Sequence, residues 1–115
     1  MQPSRRPQRV ALEIQHEISN MLTRGLKDRR IGFVTITGVE MSNDLRHAKV
    51  FFSAMGTEKE RTESGIALNH AAGWIRHELG QRIRMKFLPE IVFYEDTSIA
   101  YAEKIDRLLD KIREE

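Results

Sequence analysis

Four formal cations and two glycines crowd the stretch "AAGWIRHELGQRIRMKF", Ala71 to Phe87: Arg76, Arg82, Arg84 and Lys86, with Gly73 and Gly80 between them. Guanidinium and ammonium groups at this density bind anions. A position without a side chain also lets an anionic backbone come close to the main chain. Residues Asn69 to Phe87 read as one helix. At 3.6 residues per turn, Ile75 and Leu79 point one way. Gly73, Arg76, His77, Gly80 and Arg84 spread over roughly 100° of another side. Each interior glycine costs a helix roughly 1 kcal/mol relative to Ala. Two readings account for them. Either they give backbone approach and a bend at Ala71-Ala72-Gly73, or Gly73 packs closely on another helix and Gly80 is merely tolerated. A break before Gly73 also leaves N–H groups at the start of the second half, a favourable place for phosphate. Trp74 stands off the apolar stripe and fits either stacking on a base or half-burial under the next strand. Phe51, on the outer side of a strand, is a weaker stacking candidate.

Enzymatic chemistry finds no constellation here. No Walker A loop, G-x-S-x-G elbow or H-E-x-x-H occurs. His70 and His77 lie two helical turns apart, roughly 10 Å along the axis, too far for one metal without further ligands. His16 and His47 have no spaced partner, and Ser53 and Ser64 lack a base. The chain has no cysteine, which excludes disulfides, thiolate chemistry and Cys-ligated zinc and fits a cytoplasmic protein. The expectation is a binding protein that needs no cofactor or metal.

The elements that must position the basic stretch can be read from apolar periodicity. Val10, Ile14, Ile18, Met21 and Leu22 form one helical stripe, with Ser4 as cap, Pro7 in the first turn and Gly25 as stop. "FVTITGVEM" and "LRHAKVFFSA" flank "SND" and read as a hairpin of β-branched and aromatic residues, apolar on one face, with Gly38 marking a bulge. Helical period returns from about Arg61, with Leu68, Ala72, Ile75 and Leu79 on one stripe. "LPEIVFYED" reads as a third strand with Pro89 near its start. Ser98 then caps a last helix with the stripe Ile99, Ala102, Ile105, Leu109 and Ile112. The order predicts an α+β sandwich, helices packed on one side of a small sheet.

With 115 residues, 40% of them hydrophobic and 31% charged, the chain fits a single soluble domain over residues 1–115. No apolar run reaches the roughly 20 residues of a membrane helix. Net charge is only +2 at a pI near 9.2, but it is unevenly placed. Residues 1–30 hold seven bases against three acids, and residues 95–115 hold four against seven. A basic start and an acidic end point to a polyanion partner. The other class of partner that fits is an acidic protein docking on the basic helix.

"LKDRRIGFVTITGVEMSNDLRHAKVFFSAMG", followed by "AAG" and "RHELGQRIRMKFLPEIVFYEDTSI", resembles the bacterial ribosome-binding factor A family over nearly the whole chain, from about Arg9 to Leu109. The resemblance implies a KH-like fold of the second type, in which a helix–kink–helix with Ala-x-Gly replaces the Gly-x-x-Gly loop. Here Ala71-Ala72-Gly73 match it. It also implies a monomeric, non-enzymatic assembly factor in the cytoplasm. Such a factor binds the immature small ribosomal subunit, assists maturation of its rRNA, matters in the cold and is linked to ribosome-associated GTPases. Arg29, where many relatives have Pro, and Ala102, where many have Gly, depart from the family pattern without touching the kink. Beside the charge pattern, the expected RNA-binding residues are Arg5, Arg6, Arg9, Lys27, Arg29, Arg30, Gly73, Arg76, His77, Gly80, Arg82, Arg84 and Lys86. Residues 1–6 are expected to form a flexible basic arm.

Overall fold

The structure is a computed structural model. It describes residues 6–24, 31 and 33–114, with backbone alone for 99–105 and 114. Helix α1 spans Pro7–Thr23, and Pro7 opens it, where a missing N–H costs nothing. Its N-cap residue is Arg6, not Ser4, and no side chain caps it; the fixed φ of Pro7 sets the start instead. Ser4 and Gly25 lie outside the described residues. The predicted stripe holds: Val10, Ile14 and Ile18 are wholly buried and Met21 nearly so.

Strands β1 (Val34–Met41) and β2 (His47–Ala54) form the expected antiparallel hairpin. Their register shifts between Ile36, opposite Phe52, and Gly38, opposite Phe51, so Thr37 is the extra residue of a bulge. The bulge reverses the alternation. Ile36 faces the core before it, and Val39 and Met41 lie opposite the buried Val50 and Ala48 after it. Without that extra residue Glu40 would point into the core. β2 begins at His47 rather than at Leu45, because Leu45 adopts a left-handed φ of 61° inside the turn.

Helix α2 spans Glu58–His70, starting before the expected Arg61. Thr57 Oγ1 accepts the Glu60 N–H at 3.2 Å, and Glu60 Oε1 accepts the Thr57 N–H at 3.2 Å, a capping box. Helix α3 spans Ala72–Arg82. The stretch from Asn69 to Phe87 is therefore not one helix: it breaks at Ala71 and ends at Arg82. Strand β3 (Glu90–Glu95) then pairs parallel to β2, giving the order β1-β2-β3 in a mixed sheet. A parallel pair needs a long crossover, and the kinked α2–α3 unit is that crossover.

Leu68 of α2, Ile75 and Leu79 of α3 and the α1 stripe join Ile36, Ala48, Val50, Phe52, Ile91 and Phe93 in one core. At about 1.5–3 kcal/mol for each large apolar side chain buried, this core holds the kinked unit to the sheet. Gly65 lets α2 come close, since a Cβ there would lie 3.1 Å from the Phe52 ring. On the outer face of the sheet Thr35, Lys49 and Tyr94 are exposed. Phe51 packs on Tyr94 there, ring centroids 6.1 Å apart.

The last helix, α4, spans Ser98–Glu114. Ser98 lies inside it rather than before it, and donates from its N–H (3.0 Å) and hydroxyl (2.6 Å) to Asp96 Oδ1. Asp96 Oδ2 accepts from Thr37 Oγ1 at 2.8 Å, tying the bulge to the start of α4. These hydroxyls, Ser98 first and then Thr37, hold the Asp96 carboxyl below the ordinary aspartate pKa. Leu109 and Ile112 are exposed, so this part of the predicted α4 stripe is not covered; α1, α2 and α3 already fill the inner face. The whole is an α+β, KH-like domain with a helix–kink–helix.

Candidate nucleic-acid interface

The kink is one residue wide. Ala71 (φ −84°, ψ −3°) closes α2 and opens α3 at once. Its N–H returns to Ala67 O at 3.0 Å, while its own carbonyl accepts the Ile75 N–H at 2.9 Å. The two halves start differently. α2 has its capping box and two acids, Glu58 and Glu60, in the first turn. α3 has no side-chain cap and no acid in its first turn. The positive end of its dipole is thus left uncompensated by side chains. Gly73 lies in that turn, and a Cβ there would meet nothing within 4 Å. Packing on another helix, one of the two sequence readings, is thereby excluded for Gly73. Trp74 is half-buried, 49% exposed, and His77 is exposed one turn on.

Each half of the crossover is clamped to the segment leading into or through β3. From α2, Asn69 Nδ2 donates to Phe93 O at 3.1 Å and Asn69 Oδ1 accepts the Phe93 N–H at 2.8 Å. One side-chain amide thus satisfies both backbone groups of Phe93 on the strand edge facing away from β2, which also blunts that edge. From α3, Arg76 Nε donates to Pro89 O at 3.1 Å and Arg76 Nη2 to Leu88 O at 3.0 Å. A charged fork on two carbonyls is a strong, oriented contact. It makes Arg76 a positioning residue for the loop before β3, a role that helical spacing did not indicate.

Three more expectations change for physical reasons. Gly80 is not bare: a Cβ there would lie 3.0 Å from a Leu88 methyl, so the glycine accommodates Leu88. Arg82 lies 3.7 Å from Glu17 of α1 and 3.7 Å from Glu78. Two carboxylates flank its charge and hold α1 against α3. Arg84 and Lys86 do not continue the helix face. Ile83 is extended (φ −121°, ψ 128°) and buried, which turns the chain out of the helix. Both cations therefore stand, exposed, on the loop 83–89, where they line an open hollow of about 490 Å³ together with Gly80, Arg82 and Leu88.

Sequence reading missed Arg46 and Phe87. The Arg46 guanidinium lies 4.8 Å from the Phe87 ring centroid and the Lys86 ammonium 5.6 Å from it. Helical spacing cannot reveal such a pair, because Arg46 comes from the β1–β2 turn. Asn69 was missed as well; its position at the end of a helix, just before a break, was the one available signal. Arg6 and Arg9 are exposed at the start of α1. Arg5, Lys27, Arg29 and Arg30 lie outside the described residues. The site that remains consists of the bare kink with Gly73, Trp74 and His77, followed by the cationic loop with Arg84 and Lys86. Among the described residues no cluster of His, Asp or Glu could hold a metal ion, and no helix is long and apolar enough to cross a membrane.

Comparison with known proteins agrees with this architecture. Residues 6–109 match the model of the family described as ribosome-binding factor A. A ribosome-binding factor A from Geobacter sp. (strain M21) is 46% identical over 108 residues, which cover 94% of this chain and 91% of the relative. The solution NMR structure of a Thermotoga maritima protein, provisionally assigned as a ribosome binding factor A, superposes with a TM-score of 0.72 at 39% identity, covering 85% of this chain and 93% of that one. A Thermus thermophilus ribosome binding factor A model, fitted into a cryo-EM map of a 30S–RbfA complex, has the same fold. Its TM-score is 0.63 at 23% identity, covering 76% of this chain and 91% of that one.

Proposed function

This chain belongs to the ribosome-binding factor A family, and from that premise we propose that it is a non-enzymatic assembly factor for the small ribosomal subunit. It binds the immature subunit in the cytoplasm as a monomer and assists maturation of the small-subunit rRNA, with the greatest need in the cold. A ribosome-associated GTPase is linked to its release. The RNA-facing surface is the kink at Ala71, Ala72 and Gly73 with His77, continued by Arg84 and Lys86. Arg9 and the basic segments at residues 1–6 and 25–30 add charge.

The observation that carries this reading is the open space at Gly73, in an uncapped helix start that leads toward a cationic loop. An RNA backbone can approach the main chain there, and the guanidinium and ammonium groups of the loop beyond the far end of α3 can bind phosphates further along. The test is co-sedimentation with immature small subunits. Arg84→Glu with Lys86→Glu is expected to weaken association by about tenfold or more at low salt, with the fold intact. Wild-type binding should fall steeply as salt rises. Unchanged co-sedimentation of the double variant rejects this surface. A complex that survives nuclease treatment would favour the acidic protein partner instead.

A further inference from the structure

The β1–β2 turn and the loop after α3 meet around one aromatic ring. Phe87 is 53% exposed, with Arg46 at 4.8 Å and Lys86 at 5.6 Å from its centroid. Both segments are held firmly. On the turn side, the Arg46 N–H donates to Asp44 Oδ1 at 3.0 Å and to Ser42 Oγ at 3.2 Å. The Arg46 carbonyl accepts the Glu90 N–H at 2.8 Å, which joins the turn to the start of β3. On the loop side, Arg76 holds the Leu88 and Pro89 carbonyls, and Pro89 is fully buried. Phe87 therefore stands on a rigid loop without entering the core. A single exposed apolar side chain needs no explanation. An exposed ring flanked by two cations, on segments anchored through the backbone of Arg46, Leu88 and Pro89, has the makeup of a single-strand binding element.

We propose that Phe87, with Arg46 and Lys86, is a stacking platform for an unpaired base of single-stranded RNA. This rests on the nucleic-acid reading above and names the form of RNA that the surface takes. The ring offers a π-face to any base, and the planar guanidinium of Arg46 extends that stack. Lys86 supplies charge for the adjoining phosphate. Paired bases hide their faces in the helix stack, so the ring selects an unpaired nucleotide. An acidic protein would engage the two cations and have no use for the ring.

The experiment compares two ligands for the full chain by fluorescence anisotropy: a mixed-sequence single-stranded RNA octamer and an abasic ribose-phosphate octamer. The base-bearing octamer is expected to bind about tenfold more tightly, in line with the stacking of a base on an aromatic side chain. Phe87→Ala should erase that difference and Phe87→Tyr should keep it. Lys86→Gln should weaken both ligands alike and lower the salt dependence by about one phosphate contact. Thermal unfolding of Phe87→Ala close to wild type shows that the fold is retained. Three results overturn the platform: equal affinity of the wild type for both octamers, a Phe87→Ala variant that keeps the difference, or no measurable binding of the base-bearing octamer. Association with immature subunits is read separately. Subunit binding that persists while the octamers bind equally removes the platform alone; loss of both removes the wider reading too.

Discussion

The two ends of α3 each carry a glycine and use it in opposite ways. At the kink, Gly73 faces open space and Trp74 and His77 stand exposed, with no side chain capping the helix. At the far end, Gly80 touches Leu88, Arg82 lies between two carboxylates and Arg76, from mid-helix, is spent on two carbonyls. The first end leaves its backbone open to a partner, whereas the second spends its glycine and two of its arginines internally, and only the loop beyond it turns cations outward. A helical wheel puts Gly73, Arg76 and Gly80 on one face and cannot tell these uses apart. What separates them is the returning chain: the loop 83–89 folds back past Gly80 and Arg76 to reach β3 but leaves Gly73 uncovered.

The largest effect that separates the two ends should come from the clamps. Arg76→Ala removes a charged fork from the Leu88 and Pro89 carbonyls and is expected to cost about 2 kcal/mol in urea unfolding. Arg76→Lys should recover less than half of that, because an ammonium is a single point charge. Lys86→Ala, on the exposed loop, should stay within about 0.5 kcal/mol. Equal costs for Arg76→Ala and Lys86→Ala would erase the distinction between an arginine that holds the fold and a lysine that serves a partner.

A smaller and more direct contrast lies in the glycines themselves. Gly73→Ala should leave stability unchanged or raise it by about 0.5 kcal/mol, since the methyl group meets nothing and Ala favours helix. The same variant should weaken association with immature subunits, because the methyl group occupies the approach. Gly80→Ala should raise the melting temperature less, or lower it, as Leu88 has to move, and should leave association close to wild type. The reverse ranking in both measurements would show that Gly73 is the packing residue.

The smallest effect is acid dependence, which serves as a reference remote from α3. The Asp96 pKa is lowered by the Ser98 and Thr37 hydroxyls. A depressed carboxylate stabilises the fold above its unfolded-state pKa and loses that contribution as pH falls through the lower folded value. Stability should therefore decline at acidic pH, and Asp96→Asn should flatten the decline. An unaltered acid profile in that variant would show that the Thr37–Asp96–Ser98 junction contributes nothing. Asp44 is lowered in the same sense by Ser42 and the Arg46 N–H, so part of the decline should remain and should reflect the turn that carries Arg46.

Much of this protein was written in local pattern. The apolar stripe of α1, the alternation in β1 and β2 and the bulge near Gly38 follow from side-chain period alone, because burial of one face dictates it. The start of α2 had a local signal too, Thr57 and Glu60 spaced as T-x-x-E, but apolar period alone placed it about three residues late, at Arg61. The end of α3 was not: Ile83 fits a helical stripe as well as it fits the buried, extended position it takes. The parallel pairing of β3 also had no local signature, since strand direction depends on where the crossover delivers the chain.

What the sequence determined by itself was the inventory: which faces are apolar, where helices can start, and that cations and small residues concentrate between Ala71 and Lys86. Only the tertiary structure decided which of those groups remain available to a partner. The physical reason is that a guanidinium or a glycine has no fixed role. Its use depends on what the rest of the chain brings within about 3–4 Å of it, the range over which hydrogen bonds, ion pairs and contacts act. For Arg76, Gly80 and Phe87 that neighbour is a loop or turn whose course no local period records.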